Sequence, residues 1–140
     1  MDDSQMEARI RELYADGDLA AFAAAQEEMA ADDFVQEWPQ SGERIRGRDN
    51  VAKLNEGYEA GSGTSPQITL RRILKPGDAW VIEGTIDYGD GIPVSAVSIF
   101  EFNADGKITR ETDYFANPFE PPAWRSHLVE RMEPEPAVSG

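Results

Sequence analysis

Three stretches in the first half of the chain carry apolar residues at helical spacing. Gly17 can adopt the left-handed conformation that closes the first helix, and Asp18 can cap the second. The third stretch runs from about residue 48 to residue 60, where the Gly-Ser-Gly run at 61–63 stops it. The residues on one side of each stretch, apolar except for Gln26, are Met6, Ile10, Leu13 and Tyr14, then Leu19, Phe22, Ala23, Gln26 and Met29, then Val51, Leu54 and Tyr58. The pattern predicts three short helices.

The second half of the chain has the pattern of β-strands. Runs rich in β-branched and aromatic residues are separated by KPGD, GDGI and NADG, which are typical of tight turns. Strands are predicted at residues 67–74, 79–88, 93–102 and 107–115, and a further strand at 34–38 ends at Pro39. Four strands joined by short turns form an antiparallel meander. Helices followed by a meander predict an α+β fold.

Length and charge limit the classes of function. The 140 residues predict a single domain over residues 1–132, followed by a flexible acidic, Pro-containing tail at 133–140. The net charge is −14, with 27 Asp and Glu against 13 Lys and Arg. A field of this sign repels phosphate backbones and anionic lipid, so we expect no nucleic-acid or membrane partner.

The absence of cysteine excludes disulfides, thiolate metal sites and Cys nucleophiles. The only His, His127, lies near the tail, so a metal site would need carboxylates alone. The chain opens with no basic segment followed by an apolar run. We therefore expect a cytoplasmic protein that needs no metal and no cofactor.

Four segments occur in an order and spacing typical of one known family. They are ADGDLAAF, ADDFVQEWPQSGERIRGRDNV, GDAWVIEGTIDYGDG and SIFEFNADGKITRETDYFANPFEPPAW, and together they span roughly residues 8–125. They resemble the SnoaL-like (polyketide-cyclase-like) proteins of the nuclear transport factor 2-like superfamily. The resemblance implies a cone: N-terminal helices packed on a strongly curved, mostly antiparallel sheet, around a cavity. Such folds host isomerases, cyclases, epoxide hydrolases, dehydratases and non-catalytic adaptors, so the reaction stays open.

The resemblance to one enzyme class fails at its functional positions. Ketosteroid isomerases of this superfamily use a Tyr on the first helix, an Asp before the strand-ending Pro, and a second Asp on the penultimate strand. The matching positions hold Ile10, Trp38 and Ser98. None of these side chains replaces the base or the oxyanion donors. We therefore expect that the protein is not a ketosteroid isomerase.

The resemblance to limonene-epoxide-hydrolase-like members preserves two carboxylates. Their Arg-x-Asp position reads Thr85-Ile86-Asp87, without the Arg, and their last-strand Asp matches Asp113 in ETDYF. This implies acid–base chemistry of a cyclase, hydrolase or isomerase type by Asp113, assisted by Asp87. Two carboxylates in one cavity repel each other, so one keeps its proton near neutral pH. The pocket is expected to hold a small, largely apolar organic molecule and to be lined by Trp38, Glu37, Thr85, Ser98, Phe100 and Phe115.

The orientation of the strand at 79–88 stays open. Alternation alone sends Trp80, Ile82 and Ile86 to the core and Asp87 to solvent, whereas the resemblance sends Asp87 inward. If the acids face inward, the apolar stripe is left uncovered. An uncovered stripe of this kind predicts a homodimer formed through it.

Two further acids and a rival function complete the expectations. Glu83 and Glu111 are expected on the surface, in ion pairs with Arg71, Arg72 or Arg110. The rival to an enzyme is a non-catalytic ligand-binding or dimeric interaction module. A cavity filled by Trp38 and Phe100 would favour that rival.

Overall fold

The structure, a computed structural model, describes residues 2–62, 66–75 and 79–132. Most of the predicted KPGD turn, the last residue of the Gly-Ser-Gly run and the tail at 133–140 lie outside the described residues. The elements in chain order are α1 (Asp3–Tyr14), α2 (Leu19–Met29), β1 (Ala30–Trp38), β2 (Glu43–Arg46), α3 (Arg48–Ser62), β3 (Gln67–Leu74), β4 (Ala79–Asp87), β5 (Pro93–Phe102), β6 (Ile108–Ala116) and a 3-10 turn at Ala123–Arg125.

Side-chain caps fix where the first two helices begin. Asp2 accepts a hydrogen bond from the backbone N–H of Gln5 at 2.8 Å, and the Gln5 side chain accepts one from the Asp2 N–H at 2.9 Å. Asp18 accepts from the Ala21 N–H at 2.7 Å. Gly17, with φ of 77°, ends the first helical segment. The predicted roles of Gly17 and Asp18 are confirmed.

The six strands form one curved, mostly antiparallel sheet in the order β2-β1-β6-β5-β4-β3. The predicted meander β3-β4-β5-β6 is confirmed, since each neighbouring pair is antiparallel. Two features were not predicted. The short, charged β2 pairs with β1, and β1 pairs in parallel with β6, the last strand in chain order. The fold is α+β, as the sequence predicts.

The three helices cover one face of the sheet. The fully buried centre of the core contains Ile10 from α1, Phe34 from β1, Phe100 from β5 and Ile108 from β6. The removal of such apolar side chains from water is the main favourable contribution to folding. None of the helices in the described ranges is long and apolar enough to cross a membrane.

The apolar stripe of β4 belongs to this core. Trp80, Ile82 and Ile86 are each buried in the monomer, and all three belong to the cluster formed with the helices. The prediction that they form the surface of a homodimer is wrong. Hydrophobic alternation decided the orientation of β4, because its apolar side chains face the helices that cover the sheet.

Gly84 is required by a close approach between two strands. A Cβ atom at this position would lie 2.7 Å from the carbonyl oxygen of Thr69 on β3, a distance at which the backbone would have to shift. The register between β3 and β4 is also interrupted beside this contact, between Leu70 and Arg72. Irregularities of this kind bend a strand and increase its twist.

Candidate functional site

Two buried carboxyl groups lie side by side on β6. Glu111 and Asp113 are separated by one residue, so their side chains project from the same face of the strand. Each is only 2% exposed. Buried acids require hydrogen-bond donors or a positive charge nearby, because burial removes the water that would stabilise the ionised form.

Three side chains donate hydrogen bonds to Asp113. Gln36 Nε2 and Trp38 Nε1, both on β1, donate to Oδ2 at 2.6 Å and 3.1 Å. Ser98, the residue opposite Asp113 on β5, donates from Oγ to Oδ1 at 2.6 Å. Together these donors replace the hydrogen bonds that water would otherwise make to the carboxyl group.

Glu111 accepts a hydrogen bond from a side chain of the helices that cover the sheet. Gln26 of α2 donates from Nε2 to Glu111 Oε1 at 2.7 Å, and Asn55 of α3 donates to Gln26 Oε1 at 3.0 Å. Gln36 Nε2 lies 3.1 Å from Glu111 Oε2 and so contacts both acids. All of these donors are neutral groups.

Burial raises the pKa of Glu111 well above its ordinary value, and the charge of Asp113 and a hydrogen bond between the two carboxyl groups raise it further. The hydrogen bond from Gln26 acts in the opposite direction, with a smaller effect. Glu111 is therefore the member of the pair whose protonated form is favoured.

A cavity lies against this pair. Its volume is about 70 Å³, whereas one water needs roughly 10–15 Å³, so the cavity has room for more than a single water. The wall is mostly apolar and aromatic. It includes Tyr14, Leu19, Phe22, Trp38, Ile68, Ile82, Ile86, Tyr88, Ala96 and Phe115, with Gln36, Asn55, Gly84, Thr85, Ser98, Glu111 and Asp113 as the remaining lining residues.

Tyr14, at the end of α1, places its phenol in the cavity. Burial raises the pKa of Tyr14 well above its ordinary value, and the charges of Glu111 and Asp113 act in the same direction. The phenol therefore keeps its proton throughout the physiological range. Its ring packs against Phe22, with ring centroids 5.1 Å apart.

The structure brings together most of the residues that the sequence predicts for the pocket. Asp113, Trp38, Thr85, Ser98 and Phe115 all line the cavity. Trp38 and Phe115 pack edge to face, with ring centroids 6.3 Å apart. Ser98 and Asp113 come together because they lie opposite each other on the neighbouring strands β5 and β6.

Asp87 is not part of this site, which corrects the predicted pair with Asp113. Its Oδ1 accepts hydrogen bonds from the backbone N–H groups of Gly89 at 2.8 Å and Gly91 at 3.0 Å, in the turn between β4 and β5. Asp87 is the last residue of β4 and does not line the cavity.

Glu37 and Phe100 are also placed outside the cavity. Glu37 follows inward-facing Gln36, so it lies on the opposite face, where it accepts hydrogen bonds from Arg44 at 2.7 Å and Arg110 at 2.6 Å. The hydrogen bonds from Arg44 and Arg110 lower the pKa of Glu37. Phe100 is fully buried in the core and does not line the cavity.

The sequence pattern did not indicate that the site would contain Glu111, Gln36, Gln26 and Tyr14. Glu111 was expected in a surface ion pair and is instead buried, whereas Glu83 does pair with Arg72 at 2.6 Å. One signal was available, since Glu111 shares a strand face with Asp113. The position matched to the isomerase Tyr, Ile10, lies in the core, and the hydroxyl at the cavity comes from Tyr14 one turn later.

The described residues contain no group of three or more His, Cys, Asp or Glu side chains placed to hold a metal ion. The polar end of the cavity has two carboxyl groups, neutral amides, an indole N–H and two kinds of hydroxyl. Such a set can transfer a proton and bind a polar ligand group.

Comparison with known proteins gives one family. The model of the SnoaL-like domain matches residues 6–111. A solved nuclear transport factor 2-like protein of unknown function from Burkholderia xenovorans is 34% identical, with 94% of this chain and 98% of that chain covered and a TM-score of 0.75. A comparison with curated proteins gives no match.

Two further solved structures are similar. A proposed ketosteroid isomerase from Kribbella flavida is 31% identical, with 98% of this chain and 96% of that chain covered and a TM-score of 0.74. A proposed SnoaL-like polyketide cyclase from Jannaschia is 16% identical, with 80% of this chain and 85% of that chain covered and a TM-score of 0.65. The similarity to the protein from Jannaschia shows the fold alone.

Proposed function

We propose, from the premise that this chain belongs to the SnoaL-like domain family, that its cavity binds a small, largely apolar organic molecule and transfers protons to and from it. The observation that carries the proposal is the buried pair of Glu111 and Asp113 at the polar end of an aromatic cavity. A pair in which one acid holds a proton and the other is ionised offers an acid and a base in one place.

The proton transfers follow from the hydrogen bonds. The Asp113 carboxylate removes a proton from a C–H or O–H group of the ligand, and the Glu111 carboxyl donates its proton to a ligand oxygen on which negative charge develops. The ligand thus loses one proton and gains one. The proton on Asp113 then passes to the Glu111 carboxylate along the hydrogen bond between the two groups, which restores the starting state.

A relative supports proton transfer as the class of reaction. The similar protein from Kribbella flavida is a proposed ketosteroid isomerase. The present chain differs at the isomerase positions, since Ile10 lies in the core and both Trp38 and Ser98 donate to Asp113. We therefore propose proton transfer on a ligand other than a ketosteroid.

The test separates binding from chemistry. A panel of small apolar carbonyl compounds, epoxides and alcohols is screened by calorimetry, and those that bind are incubated with the protein in D2O. Deuterium incorporation or conversion is then followed by NMR. We expect turnover by the wild type and its loss in Asp113→Asn. Equal turnover in Asp113→Asn would exclude the proposed base, and binding without any turnover would favour the non-catalytic ligand-binding module.

We also propose a homodimer, through the face of the sheet opposite the helices. On this face Val81 lies opposite Ile99, and Val97 lies opposite Tyr114. Tyr114 is 46% exposed. Adjacent apolar side chains on one open sheet face form a patch that a second copy of the chain can cover.

A further inference from the structure

Within the described ranges, no positively charged side chain lines the cavity beside its two acids. Glu111 and Asp113 line its polar end, and no Lys, Arg or His is among the described residues that line it. The side chains that contact the two carboxyl groups, from α2, β1 and β5, are the neutral Gln26, Gln36, Trp38 and Ser98. A buried carboxylate held only by neutral donors remains costly compared with one that also faces a cation.

The same end of the cavity has a hydrogen-bond acceptor without a donor. Gln36 lines the cavity and is 6% exposed, and its Oε1 has no hydrogen-bond partner within the described parts of the chain. The amide nitrogen is engaged by both acids, which fixes the orientation of the oxygen. A buried acceptor that is left unpaired destabilises the empty site. A ligand that brings a donor would remove this cost.

The remaining wall suits a cation. The rings of Tyr14, Phe22, Trp38, Tyr88 and Phe115 line the cavity. The face of an aromatic ring attracts a cation within about 6 Å, and this attraction increases when water is excluded. The aromatic walls therefore suit the apolar part of a ligand, and the acid pair at one end suits a positively charged group on it.

We propose that the ligand of this cavity is a small apolar amine in its protonated form, with its N–H groups directed at Gln36 Oε1 and the Glu111–Asp113 pair. This inference rests on the ligand binding in the proposed function and specifies the ligand class. Toward an amine the pair acts through its negative charge and not through a donated proton. The ammonium group supplies both the missing charge and the missing donor. Its arrival next to the acids favours loss of the proton that they share, so binding releases a proton.

The titratable groups that face the bound amine are few. They are Tyr14 from α1, Tyr88 after β4, and Glu111 and Asp113 on β6, whereas Gln26, Asn55, Gln36, Trp38 and Ser98 contribute neutral groups from the other elements. Because the Tyr14 phenol keeps its proton, the released proton comes from the Glu111–Asp113 pair.

Three related probes test the proposal by calorimetry at pH 7: benzylamine, benzyl alcohol and benzyltrimethylammonium. We expect benzylamine to bind about tenfold more tightly than benzyl alcohol, equivalent to roughly 1.4 kcal/mol. Benzyltrimethylammonium, which has the charge but no N–H, should fall between them. Benzylamine titrations in phosphate and in Tris should differ in enthalpy by the amount that corresponds to proton release.

Variants show where any preference originates. The double variant Glu111→Gln with Asp113→Asn should lose the preference for benzylamine, whereas Glu56→Gln, which removes an exposed charge on α3, should keep it. Preference retained in the double variant would overturn the proposal, because the overall negative charge would then explain it. If the double variant does not fold, the proton release by the wild type decides.

The outcomes also separate this inference from the proposed function. Benzyl alcohol binding as tightly as benzylamine would overturn the amine proposal and leave an apolar cavity that binds small molecules. Absence of binding by all three probes would count against both proposals. Benzylamine binding without proton release would overturn the assignment of its contact to the acid pair.

Discussion

The amide nitrogen of Gln36 lies 2.6 Å from Asp113 Oδ2, although 77 residues separate the two along the chain. The same nitrogen lies 3.1 Å from Glu111 Oε2, so one side chain contacts both acids. The contact exists because β1 and β6 pair in parallel with Gln36 opposite Glu111. The state of this acid pair governs most of the expected behaviour of the protein.

The stability of the protein should depend on the protonation of Glu111. Its folded-state pKa is raised above the ordinary value of 4.5, so the folded state keeps a proton that the unfolded chain has released. The contribution to stability is therefore full below pH 4.5 and is lost as the pH rises through the folded-state pKa. As the pH rises, the wild type should therefore lose unfolding free energy relative to Glu111→Gln, whose side chain at position 111 cannot ionise.

Urea unfolding of the wild type and of Glu111→Gln at several pH values between 5 and 8 measures this difference. Comparing the two proteins cancels the titration of the other acids. A difference that stays constant over this range would show that Glu111 ionises normally in the folded state.

Replacement of Asp113 by Asn should lower the pKa of Glu111. The charge of Asp113 and its hydrogen bond both raise that pKa, and Asn has a similar shape without the charge. We expect the fold to be retained, because no ionised group is added to the interior. The ¹³C shift of the Glu111 carboxyl, followed against pH, gives the measurement.

Ser98→Ala is the matched control for this change. It removes the donor at 2.6 Å from Asp113 but keeps the charge beside Glu111. The pKa of Glu111 should then stay raised. An unchanged Glu111 titration in Asp113→Asn would mean that burial alone sets this pKa.

Gly84→Ala should destabilise the protein by about 1–3 kcal/mol. The added Cβ would lie 2.7 Å from the Thr69 carbonyl oxygen, so β3 and β4 would have to separate locally. Gly57→Ala, in α3, is the control, because its Cβ would meet nothing within 4 Å and Ala is the better helix former by about 1 kcal/mol. Thermal unfolding of both variants should show opposite changes, and a stable Gly84→Ala would mean that the strands separate at little cost.

Sedimentation should show a dimer at micromolar concentration, which Val97→Glu converts to a monomer. The substitution places a charge beside Tyr114 at the centre of the proposed interface. Ala24→Glu, at an exposed position on α2, should leave the dimer intact. A monomeric wild type would refute the homodimer, and a dimeric Val97→Glu would assign the contact to another surface.

The local parts of this fold were determined by the sequence itself. Helical spacing, the Gly17–Asp18 boundary and the short Gly-containing turns act between residues close in the chain, so they predict α1, α2 and the meander correctly. Alternation likewise places Glu111 and Asp113 on one face of β6, whichever face that is.

Only the tertiary structure decided which face became the interior and what surrounded it. The helices cover the face that carries Ile82 and Asp113, whereas Asp87, at the end of β4, accepts a hydrogen bond from the turn that follows. The pairing of β1 with β6 and the packing of α2 bring Gln36 and Gln26 to Glu111 from positions 75 and 85 residues away. The local sequence predicts that a charged residue on a strand lies at the surface. Its burial depends on hydrogen-bond donors from distant segments, which its own segment does not contain.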